Sequence, residues 1–178
     1  MFDLVNGLPL HPLVVHAVVV LIPLAVLGTL AAVLVPRWRR HLPVVAVVAT
    51  LDALLLPVAT QSGEALEERV GEPGVHAALG DQLLWIGVAF AAVLWVLVLL
   101  DRRHERRHGV RPGPGAAGSG GARRRRGAAT TAVATLAVVL ALVTGVQVYR
   151  VGDSGARAAW GDRVGSTSVQ PSGDDDGD

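Results

Sequence analysis

Four long apolar stretches constrain this chain more than any other feature of its sequence. Each runs for close to 20 residues with at most one charge, the length that crosses about 30 Å of hydrocarbon as a helix. Hydrophobic residues make up 51% of the 178 residues, too many for a soluble domain whose helices must keep one face wet. The sequence therefore predicts an all-α integral membrane four-helix bundle, with spans at residues 13–35, 42–60, 83–100 and 128–148.

Two segments outside the spans are predicted to lack ordered structure. Residues 109–127 are rich in Gly, Pro and Ala, the composition of a flexible linker. Residues 161–178 form a polar tail that ends in three consecutive aspartates and has nothing to bury. The membrane domain is thus expected over residues 1–160, and the third helix is expected to begin ahead of its span, near Pro73.

Charged side chains separate to opposite sides of the predicted spans. The loop between the second and third spans is acidic, and arginines cluster beside the other two loops, at Arg37, Arg39, Arg40, Arg102, Arg103, Arg106, Arg107 and Arg123–Arg126. Because basic loops stay cytoplasmic, both termini are expected outside. The Ala-, Val-, Gly- and Pro-rich composition suggests a bacterial plasma membrane. We interpret Arg123–Arg126 as a topology anchor on anionic headgroups, with no role in nucleic-acid binding.

Two ionisable residues are predicted to lie inside the hydrocarbon. His16 falls about 9 Å below the outer surface of the first span, and Asp52 about 12 Å below that of the second, at 1.5 Å per residue. Such groups are costly in a membrane and usually face a partner or a wet cavity. A His16–Asp52 hydrogen bond is therefore expected. It is interpreted as a neutral pair that joins two helices, as a ligating histidine with a carboxylate behind it, or as part of a proton relay.

Three histidines, His11, His16 and His76, are expected on the outer side. Together with Glu64 or Asp153 they would suit a transition metal. Alternatively, His16 and His76 could be the axial ligands of a b-type haem, with Asp52 beside them. The plainer interpretations are that His11 caps the first helix and that His76 is a solvated loop residue.

The two halves of the chain share short matching segments. Val15-His16-Ala17 matches Val75-His76-Ala77, and Ser62-Gly63-Glu64-Ala65 matches Ser154-Gly155-Ala156. Two helical hairpins that repeat in parallel would be related by an axis along the membrane normal. The alternative is a chance match, because the segments are short and use common residues.

Several segments resemble those of a known family: HPLVVHA, ATQSGEALEERV, VHAALGD and TGVQVYRVGDSGARAAW. The family is DUF2231, small bacterial membrane proteins of unknown function, and the resemblance covers about Leu8 to Trp160. It implies the signature positions His11, His16, Ser62-Gly63-Glu64, His76, Gly80-Asp81 and Ser154-Gly155. Relatives often carry histidine in place of Asp153, so this chain departs from the pattern there. Some are joined to Rieske or cytochrome-type domains, which implies redox work.

The sequence leaves three classes of function open. The first is a structural or accessory membrane protein, the second a haem- or metal-binding electron-transfer subunit with a redox partner on its outer face, and the third a small transporter or proton relay. The absence of cysteine excludes thiolate metal sites and covalently attached haem. No nucleophile–base–acid set is legible, so an enzyme is not indicated. The bilayer is the one partner that the sequence requires, and a homo-oligomer is compatible with it.

Overall fold

The computed structural model describes residues 4–5, 8–70, 74–108 and 127–165. Two short strands, β1 and β2, pair antiparallel ahead of four long helices. The elements are β1 (Leu4–Val5), β2 (Leu8–Pro9), α1 (Leu10–Leu34), a 3₁₀ helix (Pro36–His41), α2 (Leu42–Val70), α3 (Val75–His108) and α4 (Ala128–Gly165). Apart from the two-residue strands every element is helical, which confirms the predicted all-α class.

All four helices are long and apolar enough to cross a membrane. Their large side chains point outward: Val20, Leu27 and Leu54 are 64–66% exposed. The centre combines small and large residues: Ala46 and Ala137 are fully buried, as are Leu94 and Leu97. Small residues let membrane helices approach closely, and large apolar side chains on the outside suit a bundle that faces lipid instead of water. The multi-pass membrane fold is therefore as the apolar stretches predicted.

Each helix packs against the next along the chain, and α4 returns to pack against α1. Glycines allow close approach at two of these contacts. A Cβ at Gly28 would lie 2.9 Å from Val45 of α2, and a Cβ at Gly87 would lie 2.6 Å from Leu56 Cδ1. Real Cβ atoms essentially never come this close to another atom. A side chain at Gly28 or Gly87 would therefore force Val45 or Leu56 to move, so glycine favours the close approach of α1 to α2 and of α2 to α3.

The antiparallel order gives the bundle two chemically different ends. The histidine end holds the start of α1 and α3 and the last turns of α2 and α4, with His11 and His76. The arginine end holds the 3₁₀ helix and the C-terminal part of α3, with Arg39 and Arg102. His11 and His76 thus lie at the end opposite to Arg39 and Arg102, although the arginine end also holds His41 and His104 and the histidine end also holds Arg150 and Arg157.

The helices run past the predicted spans. α2 continues to Val70, α3 already begins at Val75, and α4 continues to Gly165. Apolar runs mark only the part of a helix inside hydrocarbon, whereas the backbone hydrogen-bond ladder continues through good helix formers such as GEALEER. Residues 161–165, assigned to the tail from sequence, are therefore the end of α4. The predicted linker over residues 109–126 and the tail over 166–178 lie outside the described residues.

Candidate functional site

His11 is fixed against α2 through its Nδ1 nitrogen. A carbonyl oxygen only accepts, so Nδ1–H donates to Ala59 O, at 2.9 Å. Ser62 Oγ lies 3.5 Å from the same nitrogen and donates to Ala59 O at 3.1 Å. A Cβ on Gly63 would lie 3.2 Å from the imidazole, so the ring occupies the space that a side chain there would need. We call His11, Ala59, Ser62 and Gly63 the His11 cluster.

His76 makes the same set of contacts with α4. Its Nδ1 lies 3.1 Å from Val151 O and 3.2 Å from Ser154 Oγ. Ser154 Oγ donates to Val151 O at 2.9 Å, and a Cβ on Gly155 would lie 2.9 Å from the ring. We call His76, Val151, Ser154 and Gly155 the His76 cluster. In both clusters the histidine is the second residue of its helix and reaches a carbonyl three residues before the serine.

Aligning the two clusters brings the whole hairpins into register. With His11 placed on His76, the buried positions of α1 fall on buried positions of α3: Val14 on Leu79, Val18 on Leu83, Ile22 on Gly87, Ala25 on Phe90, Val26 on Ala91, Thr29 on Leu94 and Ala32 on Leu97. With Ser62 placed on Ser154, buried positions of α2 fall on those of α4: Leu42 on Ala134, Val45 on Ala137, Ala49 on Ala141 and Asp52 on Thr144. The hairpin α1–α2 is therefore repeated by α3–α4.

The register of this repeat differs from the one predicted. The sequence match paired His16 with His76, whereas the contacts place His11 in the position equivalent to His76. His16 is exposed, and its Nδ1 bonds the Pro12 carbonyl of its own helix; it aligns with Asp81, which is also exposed. The Val-His-Ala match gave the wrong register because it rested on the residues next to each histidine in sequence. The equivalent histidines are the two whose Nδ1 bonds a carbonyl of the following helix.

Asp52 lies near the middle of α2 and is only 5% exposed. Its Oδ1 atom is buried and has no hydrogen-bond partner, so the predicted His16–Asp52 hydrogen bond is wrong. Asp52 is ten residues before Ser62, about 15 Å along the helix, and thus well below the histidine end. The aligned Thr144 is satisfied within its own helix, since Oγ1 donates to Leu140 O at 2.7 Å.

The predicted metal ligands do not converge. In the described part of the chain, no group of three or more His, Asp or Glu side chains is placed to hold a metal ion. Glu64 is exposed. Asp153 forms a two-bond ion pair with Arg157, at 3.0 and 3.2 Å, on the outer surface of α4. Among the described residues, the histidines at this end that bond to a neighbouring helix are those of the two imidazole clusters.

Further side-chain hydrogen bonds join helices outside the two clusters. Gln147 joins α4 to α3, since its Nε2 donates to Leu79 O at 3.0 Å and to Gln82 Oε1 at 3.3 Å. The bond from Trp95 Nε1 to Thr50 Oγ1, at 2.8 Å, joins α3 to α2 and had no signal, because each residue alone is common in membrane spans.

A bundle of four membrane-crossing helices, built from one hairpin twice, defines this chain as a multi-pass membrane protein with two equivalent imidazole clusters at one end. The chain belongs to DUF2231, a family described as predicted membrane protein, whose model matches residues 7–168. The resemblance found in the sequence is thereby confirmed. No curated protein and no solved structure matches the chain.

Proposed function

We propose that this protein is a haem-binding electron-transfer subunit of the membrane, with His11 and His76 as the axial ligands of a b-type haem. The observation that carries the proposal is that both imidazoles, in equivalent positions, use Nδ1 for a backbone carbonyl. Each ring therefore keeps Nε2 as the nitrogen with a lone pair.

The tautomer and the orientation of the two imidazole rings support the binding of haem iron. A neutral imidazole has one N–H donor and one acceptor nitrogen. Donation by Nδ1 to a carbonyl fixes the tautomer, orients the ring and makes Nε2 a better ligand, the arrangement that ligating histidines generally have. Gly63 and Gly155 leave room for each ring and restrict its rotation.

The number of donors favours haem over a bare metal ion. A bare zinc ion takes four protein ligands, or three and a water, and the described residues offer no such group. Haem iron takes four nitrogens from the porphyrin and one or two axial ligands from the protein. Two equivalent imidazoles, each with a free Nε2, match the number of ligands in a six-coordinate haem. His11 thus replaces His16 in the predicted ligand pair.

The arginine distribution indicates where such a haem would exchange electrons. If basic loops remain cytoplasmic, the histidine end faces the outside of a bacterial plasma membrane, together with both termini. A redox protein on that face would be the electron partner. Asp153, close to the His76 cluster in sequence, is engaged by Arg157 and is not a ligand in this proposal.

Spectroscopy of the full-length protein tests the assignment. Expressed with haem available and purified in detergent, the protein is expected to show a Soret band that sharpens and shifts on reduction. His11→Ala and His76→Ala should each abolish six-coordinate haem, while the matched control His16→Ala should retain it. Thermal melts followed by circular dichroism separate loss of ligand from loss of fold. A folded protein without a Soret band, or a band lost equally in His16→Ala, would overturn the proposal and leave the clusters as structural ties between helices.

A second candidate function, a proton relay, is favoured by Asp52 alone. A buried carboxylate oxygen without a partner, near the middle of a membrane-crossing helix, is a functional-site candidate in any membrane protein. Proton movement through the bundle would use Asp52 as the intermediate acceptor.

Vesicles containing a pH-sensitive dye distinguish this second candidate. The reconstituted protein should dissipate an imposed pH gradient, and Asp52→Asn should abolish the flux. Thr144→Val, the equivalent position in the second hairpin, serves as the control and should leave the flux unchanged. Equal rates for empty, wild-type and Asp52→Asn vesicles would reject a relay.

A further inference from the structure

The arginine end contains a basic groove between the 3₁₀ helix and the last turns of α3. It has a volume of about 540 Å³. Four arginines line it, Arg37, Arg39, Arg40 and Arg102, against a single carboxylate, Asp101. Guanidinium groups at this density repel one another unless an anion is shared between them. The groove is therefore electrostatically complementary to a phosphate-sized anion.

Arg39, which lines this groove, has one side-chain donor without a partner in the described part of the chain. Its Nε atom is buried and has no hydrogen-bond partner. An unsatisfied buried donor costs about 1–3 kcal/mol, and more when it is charged. Arg40, by comparison, donates through Nε to His41 Nε2 at 3.1 Å. An anion in the groove would satisfy this donor once the Arg39 side chain turned toward it.

A second groove begins at the same arginine and runs between the end of α1 and the start of α4. Its volume is about 780 Å³, and Arg39 lines both grooves. Away from Arg39 its walls are mostly apolar, with Val33, Leu34, Ala134 and Val138. These residues belong to helices that cross the membrane. The two grooves thus meet at Arg39, one lined mainly by arginines and the other mainly by apolar residues.

We propose that this pair of grooves binds one anionic phospholipid. The phosphodiester is held by Arg39 and Arg102 in the basic groove, and an acyl chain lies along the apolar groove. Basic pockets between membrane helices recognise lipids of this class, and an anionic leaflet attracts basic segments with about 1 kcal/mol per arginine. An arginine fork binds phosphate oxygens in pairs, which gives a preference over zwitterionic lipids whose own ammonium group competes. This site is independent of any haem at the histidine end.

Lipid binding to the purified full-length protein tests the site. Native mass spectrometry in a neutral detergent would compare phosphatidylglycerol, phosphatidylcholine and inorganic phosphate. Phosphatidylglycerol should remain bound with at least about tenfold higher affinity than phosphatidylcholine, and Arg39→Gln or Arg102→Gln should each reduce that affinity about tenfold. The matched control is Arg103→Gln, which removes one charge from the same end but not from the groove.

A second variant tests the apolar part without altering charge. Thr135 is exposed and lines the apolar groove. Thr135→Trp should weaken phosphatidylglycerol while leaving any binding of inorganic phosphate unchanged. Equal binding of phosphatidylcholine, competition by inorganic phosphate at similar concentration, or an equal loss in Arg103→Gln would overturn the proposal. The last result would mean that lipid binding depends on the net charge of this end and not on the groove.

Discussion

Replacing Asp52 with threonine is expected to stabilise the protein, although it removes an ionisable group from the centre of a helix. The reason lies in the repeat, because the equivalent position of the second hairpin is Thr144. Thr144, Thr29 and Thr50 all donate their hydroxyl to the carbonyl four residues earlier in the same helix. A threonine in place of Asp52 should do the same with the Val48 carbonyl and need no other partner.

The magnitude follows from what is removed. Asp52 Oδ1 is a buried acceptor without a hydrogen bond, and such an atom costs about 1–3 kcal/mol. Aspartate and threonine are close in volume, so the cavity penalty that accompanies large-to-small changes is small. The free energy of unfolding should therefore rise by about 1–3 kcal/mol. Asp52→Asn should give a smaller gain, because the amide is easier to bury than the carboxylate but is still not bonded within its own helix.

Unfolding by a denaturing detergent in mixed micelles, followed by circular dichroism, measures this change. The control is Leu54→Thr, on the same helix but 64% exposed toward lipid, which should give no stabilisation. If Asp52→Thr instead lowers the free energy of unfolding by 1 kcal/mol or more, then Asp52 has a favourable partner in the folded protein. The repeat would then be a poor guide to this position.

The remaining predictions concern packing, a tertiary hydrogen bond and orientation. Gly155→Ala should destabilise the bundle by about 1–3 kcal/mol, because its Cβ would meet the imidazole at 2.9 Å, whereas Gly152→Ala, with open space, should be tolerated; detergent unfolding compares them. Trp95→Phe removes the bond to Thr50 and should cost about 1 kcal/mol in the same assay. In cells, an impermeant thiol reagent should label Gly152→Cys from outside and Arg103→Cys only after permeabilisation; the reverse pattern would invert the predicted topology.

The fold could be predicted from sequence because membrane helices must form all of their backbone hydrogen bonds within each segment. A span of about 20 apolar residues therefore has essentially one structure, and four such stretches predicted four helices. The apolar stretches did not predict where the helices end. The segment after Thr60 is polar, yet α2 runs on to Val70, because helix propensity does not stop where hydrophobicity does.

The site was harder to predict, because its chemistry lies in the backbone. The residues that matter on α2 and α4 are the carbonyls of Ala59 and Val151, and any residue type carries a carbonyl. The serine–glycine pairs and His76 were found from sequence, but His16 was taken in place of His11 as the histidine of the first hairpin. Choosing His16 over His11 placed the repeat five residues out of register on α1. The pattern of buried positions, which needs coordinates, corrects it.

The two hairpins share one design but divide their polar contacts unequally. α3 and α4 are joined at the His76 cluster and again by Gln147, whereas the position aligned with Gln147 is Leu55 in α2. Within the described helices, side-chain hydrogen bonds join α1 to α2 at the His11 cluster alone. Since hydrogen bonds and close packing hold membrane helices together where hydrophobicity cannot, the first hairpin is the less firmly fastened of the two. A ligand held by both imidazoles would bind the folded bundle and not a form in which α1–α2 has separated from α3–α4. Ligand binding would therefore stabilise the position of the first hairpin, and ligand occupancy would depend on the stability of that hairpin.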